Sequence, residues 1–89
     1  MSRTCSHLDT IDSSLPRDRG EGCTECLKIG SPWLHLRQCM ECGEVACCDD
    51  SPMRHATKHH NATGHPIIRS LEPGELWYWC YPDQLGFEL

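Results

Sequence analysis

Two copies of the C-x-x-C motif constrain this chain more than any other feature: CTEC at residues 23–26 and CMEC at residues 39–42. Each motif places two thiols on one tight turn, which is typical of half of a tetrahedral zinc site. The chain has eight Cys and six His among 89 residues, and four of the histidines lie in HATKHHNATGHP at residues 55–66. Because a domain this small usually needs disulfides or metal for stability, the motifs predict a metal-stabilised fold.

The N-terminal sequence favours zinc over disulfides. The opening residues MSRTCSHLDT contain no apolar signal-peptide core, and no apolar run approaches membrane-spanning length. We therefore expect a cytoplasmic protein without a membrane partner, and in a reducing compartment cysteines mixed with histidines favour zinc. The length predicts one domain over residues 1–89, and we expect it to be a monomer. The formal net charge of -5 argues against a nucleic-acid partner, since phosphate contacts need a basic surface.

The apolar pattern predicts an α+β fold in which four short strands form an antiparallel sheet. Residues 8–22 are polar and rich in turn formers, so we expect a loop there. A turn is predicted at Glu72-Pro73-Gly74 between the last two strands. The predicted strands cover residues 33–39, 44–48, 65–71 and 75–81.

One main helix is predicted over residues 49–60. Ser51 is a suitable N-cap, and Pro52 suits the first helical position because its missing N–H is not needed there. Asn61 to Gly64 should end the helix. The predicted fold is thus one helix on a small sheet, with long loops held by zinc.

Eight residues could fill two four-coordinate sites: the four thiols of the two motifs together with Cys47, His55, His59 and His65. In a sequential ribbon, both motifs share one zinc and the later residues take the other. In an interleaved brace, Cys23 and Cys26 join Cys47 and His55, while Cys39 and Cys42 join His59 and His65. The spacing does not choose between these pairings, although His55 and His59 share one face of the predicted helix and could connect two sites.

The two ends of the chain offer a third set of donors. Cys5 and His7 lie in CSH, and Cys80 and Asp83 lie in CYPD, whose spacing matches a C-x-x-C motif with a carboxylate as its second donor. A site made of these four residues would close a long loop. We therefore expect three zinc ions, and at least two. Three other residues of ligand type are expected to bind no metal: His35, Cys48 and His60.

A catalytic zinc on the helix is one alternative. A metalloprotease helix reads H-E-x-x-H, whereas this chain has His55-Ala56-Thr57-Lys58-His59, without the glutamate base. Because the cysteines suffice to saturate every zinc, we do not expect an enzyme. Zinc storage, or a purely structural zinc domain with another protein partner, is a further alternative.

The order of these motifs resembles that of the UBP-type zinc finger, which occurs in deubiquitinases and in one cytoplasmic histone deacetylase. The matching segments are C-x-H, CTEC, CMECGEVACC, H-x3-H, TGHP and WCY, and they cover nearly the whole of this small stand-alone chain. The resemblance implies the interleaved pairing and places Cys5, His7 and Cys80 in a third site. The family usually has a further cysteine where this chain has Asp83.

The resemblance also implies a binding function. Better-studied members bind the free C-terminal Gly-Gly tail of ubiquitin in an aromatic pocket, so the implied function is a non-catalytic module that recognises the tail of ubiquitin or a ubiquitin-like protein. Trp79 and Tyr81 match the pocket residues of the WCY motif. Asp49 stands where the family often has an arginine, and Arg37 stands where it often has an aromatic residue. Flat rings can sandwich glycine backbone, and Arg37 could donate to a carboxylate.

Overall fold

The computed structural model describes residues 5–88 and contains a five-stranded antiparallel sheet and two helices. The spatial order of the strands is β2-β1-β3-β4-β5, and each neighbouring pair is antiparallel. This architecture confirms the predicted α+β class. The strands are β1 (Leu36–Cys39), β2 (Val45–Cys47), β3 (Ile67–Ser70), β4 (Trp77–Cys80) and β5 (Leu85–Glu88), and the helices are α1 (Thr24–Ile29) and α2 (His55–Thr63).

The central strand β3 is buried along its whole length because both faces of the sheet are covered. Neighbouring side chains on a strand point to opposite faces. Ile68 accordingly packs in one apolar cluster with Leu36 and Leu71, whereas Ile67 packs in a second cluster with Met40 and Phe87. Both clusters also contain buried cysteines, so the thiols are part of the core.

The 8–22 loop contains a 3-10 turn at Leu8–Thr10 and is attached to the sheet by two buried polar residues. Gln38 and Arg69 are cross-strand partners in β1 and β3, and Arg69 Nε donates to Gln38 Oε1 at 2.7 Å. Arg69 Nη2 donates to the Leu15 carbonyl at 3.1 Å, and Gln38 Nε2 donates to the Pro16 carbonyl at 3.0 Å. The loop therefore has little regular structure, as predicted, yet its backbone carbonyls are held in place.

The four predicted strands are present but shorter at their ends, and two elements were not predicted. Gly74 adopts a φ of 82° in the predicted turn between β3 and β4. The missed helix α1 begins at the first C-x-x-C motif, where the Cys23 side chain is the N-cap and accepts from the Cys26 N–H. Six residues are too few to show helical periodicity in a sequence. The missed strand β5 pairs with β4 and buries Phe87.

The predicted start of the main helix is wrong. Helix α2 begins at His55, after Arg54 in a left-handed conformation, and not at Ser51 or Pro52. The hydroxyl of Ser51 is buried and accepts from the Leu34 N–H at 2.8 Å, so it does not cap a helix. The helix ends within the predicted segment Asn61 to Gly64, since Thr63 is its last residue and Gly64 caps it in a left-handed conformation.

Gly22 offers a test of packing beside the first C-x-x-C motif. A Cβ at Gly22 would overlap the ring of Trp33, whereas a Cβ at Gly20 would meet nothing within 4 Å. Gly20 has a φ of 56°, which other residues can adopt, whereas the φ of 118° at Gly22 favours glycine, so backbone strain and the overlap with Trp33 both act against Gly22→Ala. We expect Gly22→Ala to lower the free energy of unfolding by roughly 1–3 kcal/mol more than Gly20→Ala. Urea unfolding at a fixed excess of zinc measures this difference, and equal values would contradict the close packing of Trp33.

Candidate metal centres and the adjoining pocket

The structure gathers the predicted ligands into three groups of four, and within each group the donor atoms all lie within 4.8 Å of one another. The first two groups have the interleaved pairing, in which each C-x-x-C motif joins residues from later in the chain. The groups are the first cluster (Cys23, Cys26, Cys47 and His55), the second cluster (Cys39, Cys42, His59 and His65) and the third cluster (Cys5, His7, Cys80 and Asp83).

The first cluster joins the start of α1, the end of β2 and the start of α2. His55 Nδ1 lies 3.3 Å from Cys23 Sγ and 3.2 Å from Cys26 Sγ. The His55 backbone N–H donates to Cys47 Sγ at 3.1 Å, which holds the helix start against the strand end. All three thiols are fully buried.

The second cluster joins the end of β1 to the middle of α2 and to the segment that follows the helix. Cys42 Sγ lies 3.4 Å from His59 Nε2, and Cys39 Sγ lies 3.4 Å from His65 Nδ1. Gly43 closes the turn with a φ of 84°, and its N–H donates to the Cys39 carbonyl at 2.8 Å. Cys42 is exposed, unlike the other cysteines among the predicted ligands.

The third cluster joins the N-terminal segment to the end of β4. His7 Nδ1 lies 3.4 Å from Cys80 Sγ and 3.6 Å from Asp83 Oδ2. Asp83 Oδ2 accepts from the Ser6 N–H at 2.8 Å and from the Ser6 hydroxyl at 3.0 Å. These hydrogen bonds lower the pKa of Asp83, so its carboxylate is ionised and oriented toward the other three donors.

The thiols of each cluster lie close enough to the other donors to share one zinc ion. Burial raises the pKa of Cys26 to about 12, and neighbouring thiols add to this shift. Burial likewise raises the pKa of Cys39 and of Cys80 to about 11. Without a cation these thiols keep their protons at neutral pH, and a zinc ion would displace them. Four donors per cluster suit tetrahedral zinc, with sulfur and imidazole in the first two clusters and the Asp83 carboxylate as the fourth donor in the third, so the three clusters are able to hold three zinc ions.

The three residues of ligand type that we expect to bind no metal lie outside the clusters. His60 Nδ1 donates to the His65 carbonyl at 2.8 Å, and its ring stacks on Tyr81 with the centroids 4.4 Å apart. Cys48 is buried with its sulfur 3.4 Å from the Ser51 hydroxyl. His35 is exposed.

A cavity of about 200 Å³ adjoins these clusters and brings together the three residues predicted to bind a peptide, Arg37, Trp79 and Tyr81. Trp77 also lines it, because Trp77 and Trp79 are two apart on β4 and point to the same face. That alternation was a signal in the sequence that could have identified Trp77. The rest of the lining consists of Cys48, Asp49, Asp50, Ala56 and Ile68.

The polar groups of this cavity are held in defined positions. The Arg37 guanidinium lies over the Trp77 ring, 4.5 Å from its centroid, and its Nη1 donates to the Leu36 carbonyl at 3.0 Å. The Thr57 hydroxyl donates to Asp49 Oδ1 and lies 3.3 Å from the Tyr81 hydroxyl. Burial raises the pKa of Tyr81, so its hydroxyl is a neutral donor. The cavity thus combines flat apolar walls with one cation and two carboxylates.

Comparisons with known proteins agree with this geometry. The family model described as the zinc finger in ubiquitin hydrolases and other proteins matches residues 23–87. Histone deacetylase 6 of Caenorhabditis elegans is 30% identical over 81 residues, which are 89% of this chain and 8% of that protein. The solution NMR structure of protein RPA1320 from Rhodopseudomonas palustris is 55% identical, with a TM-score of 0.83, and the match covers 100% of this chain and 85% of that chain.

The zinc content of the purified chain tests the third cluster. We expect three zinc ions per chain in the wild type and two in Asp83→Ala, because a cluster with three remaining donors holds zinc less tightly. Asp18→Ala is the matched control, since it removes the same charge from an exposed position outside the clusters and should keep three. Atomic emission on gel-filtered protein gives the ratio. Two zinc ions per chain in both the wild type and Asp83→Ala would show that the third cluster does not bind zinc.

The interleaved pairing predicts different effects for the two helical histidines. His55→Ala should empty the first cluster and spare the second, and His59→Ala should do the reverse, because each ring is a donor in one cluster. His60→Ala should retain both. Zinc content combined with the ¹H–¹⁵N NMR signals of residues 23–26 and 39–42 separates these outcomes. Loss of the second cluster in His55→Ala with the first one intact would contradict the pairing.

Proposed function

The chain belongs to the family of zinc fingers found in ubiquitin hydrolases and other proteins, and from this premise we propose that it is a non-catalytic module that binds a protein partner by its C-terminal tail. The tail of ubiquitin or of a ubiquitin-like protein is the proposed ligand. The observation that carries the proposal is the convergence of Trp77, Trp79, Tyr81 and Arg37 on one cavity.

The aromatic walls suit the backbone of an extended peptide. Trp77, Trp79 and Tyr81 are partly exposed rather than buried, so their rings present apolar surface to a ligand. A glycine has no side chain and can lie between flat rings, where it buries apolar area at little entropic cost to the protein. The stacking of His60 on Tyr81 holds that ring in place before a ligand arrives.

Arg37 supplies the charge that a tail carboxylate needs. In the described part of the chain, the hydrogen bonds of its guanidinium and its 4.0 Å ion pair with Glu75 all involve Nη1, which leaves Nη2 and Nε for a ligand. A guanidinium can bind a carboxylate with two parallel hydrogen bonds. The carboxylate of Asp49 is already engaged by the Thr57 hydroxyl, which reduces its repulsion of an incoming anion.

A non-catalytic role is supported by the donor sets. A catalytic zinc usually has three protein ligands and one open position, whereas each of the three clusters offers four protein donors. The helix segment between His55 and His59 contains no acidic residue that could act as a base.

The proposal places this module in the cytoplasm, where it would act as a monomer. None of the eight cysteines forms a disulfide, a state that a reducing compartment preserves. Neither described helix has the length and apolar character needed to cross a bilayer.

A titration with two forms of one peptide tests the proposal. A peptide that ends in Gly-Gly with a free carboxylate should bind at least about tenfold more tightly than its C-terminal amide, since a hydrogen-bonded charge pair contributes about 1.5–3 kcal/mol. Tryptophan fluorescence reports binding because Trp77 and Trp79 line the cavity. Equal binding of both forms, or no binding of either, would show that carboxylate recognition is wrong.

Two variants locate the carboxylate site. Arg37→Gln should abolish the preference for the free acid while the amide still binds, because the guanidinium that would pair with the carboxylate is removed and the aromatic walls remain. Lys28→Gln changes the net charge equally at an exposed position outside the cavity and should keep the preference. If both variants lose the preference, it reflects net charge and not Arg37. If both variants keep it, Arg37 does not bind the carboxylate.

A further inference from the structure

The two histidines of the second cluster present opposite ring nitrogens to the thiols. His59 faces Cys42 with Nε2, whereas His65 faces Cys39 with Nδ1. The remaining nitrogen of each ring points away from the cluster. Because a neutral imidazole carries one proton, a ring that binds zinc through one nitrogen must carry its proton on the other.

A glutamate meets the outward nitrogen of each ring. His59 Nδ1 lies 3.1 Å from Glu44 Oε2, and His65 Nε2 lies 3.3 Å from Glu41 Oε2. The side chains of His59 and His65 are 12% and 24% exposed, so both contacts are partly shielded from solvent. Both distances are those of an ion pair between a histidine ring and a carboxylate, so each glutamate attracts the proton of its ring to the outward nitrogen.

We propose that Glu41 and Glu44 are positioning residues for zinc at the second cluster, and that each fixes the tautomer of one histidine ligand. Both glutamates belong to the turn that supplies the thiols, in the sequence Cys39-Met40-Glu41-Cys42-Gly43-Glu44. The Glu44 carbonyl accepts from the Cys39 N–H at 2.9 Å, which fixes its backbone beside the cluster. One turn therefore provides two ligands and orients the other two.

The arrangement is specific to the second cluster. In the described part of the chain, no carboxylate lies within ion-pair distance of the His55 ring, and the carboxylate beside His7 is Asp83, itself a predicted ligand. The second cluster also contains the exposed thiol Cys42, so it is the cluster most open to competing ligands. Oriented and more basic imidazoles counteract that exposure, because a carboxylate partner raises the basicity of a histidine ligand.

The tautomers are the first test. In zinc-loaded protein, long-range ¹H–¹⁵N NMR of the imidazoles should show His59 protonated at Nδ1 and His65 protonated at Nε2. Finding the same tautomer in both rings would overturn the proposal. This measurement is independent of peptide binding, so its result is distinguishable from failure of the proposed tail recognition.

The metal affinity of variants is the second test. Glu41→Ala and Glu44→Ala should each weaken zinc binding at the second cluster by about 10–100-fold, the usual effect of removing such a partner. Competition with a chelator, followed by the ¹H–¹⁵N signals of residues around each cluster, resolves the three sites. The first and third clusters should be unchanged. Equal loss at all three clusters would indicate general destabilisation and would contradict the proposal.

Two further variants separate charge from hydrogen bonding. Glu44→Gln keeps an oxygen that can accept from His59 Nδ1, so it should retain the tautomer and lose less affinity than Glu44→Ala. Glu21→Ala is the matched control, because it removes an exposed carboxylate that lies outside all three clusters. If Glu44→Ala binds zinc at the second cluster as tightly as Glu21→Ala does, Glu44 has no positioning role.

Discussion

The sharing of helix α2 between two metal clusters is the constraint on which the rest of the structure depends. His55 contributes to the first cluster and His59, one turn later, contributes to the second. Because a helix is rigid over one turn, the two clusters cannot move independently. The first cluster ties the helix to β2 and α1, and the second ties it to β1. The two histidines of this nine-residue helix therefore connect it to the sheet and to α1.

The same frame builds the cavity. On α2, Thr57 lies between the ligands His55 and His59, and His60 follows directly after them. The Thr57 hydroxyl contacts the Tyr81 hydroxyl, and the His60 ring stacks on the Tyr81 ring. His60 also donates to the backbone carbonyl of His65, a member of the second cluster. The alternation of β4 sends Trp77 and Trp79 to the cavity and Cys80 to the opposite face, where the third cluster forms. Zinc binding and the shape of the proposed binding site are therefore coupled through adjacent residues.

Much of the fold could be predicted because its signals are local. Four strands and the left-handed cap at Gly64 follow from apolar pattern and turn chemistry. The start of α2 could not be predicted, since the capping chemistry of Ser51 and Pro52 was overridden by a tertiary contact, the hydrogen bond from the Leu34 N–H to the Ser51 hydroxyl. Helix α1 was missed because its cap is a thiol, Cys23 Sγ, and its length is too short for periodicity. The roles that we propose for Glu41 and Glu44 had no signal, as acidic residues on an exposed turn are common.

The sequence by itself determined the chemistry of this protein: paired thiols and histidines in a fixed order, which identify zinc as the metal and resemble one family. Spacing along the chain left the pairing of the first eight donors open, because a ribbon and a brace use the same residues. Only the tertiary structure decided it, by placing Cys47 beside His55 and Cys39 beside His65 across distances that sequence spacing does not report. It also decided that Arg37 faces the same cavity as Trp79 and Tyr81, because the three side chains converge only when β1, β3 and β4 are in register.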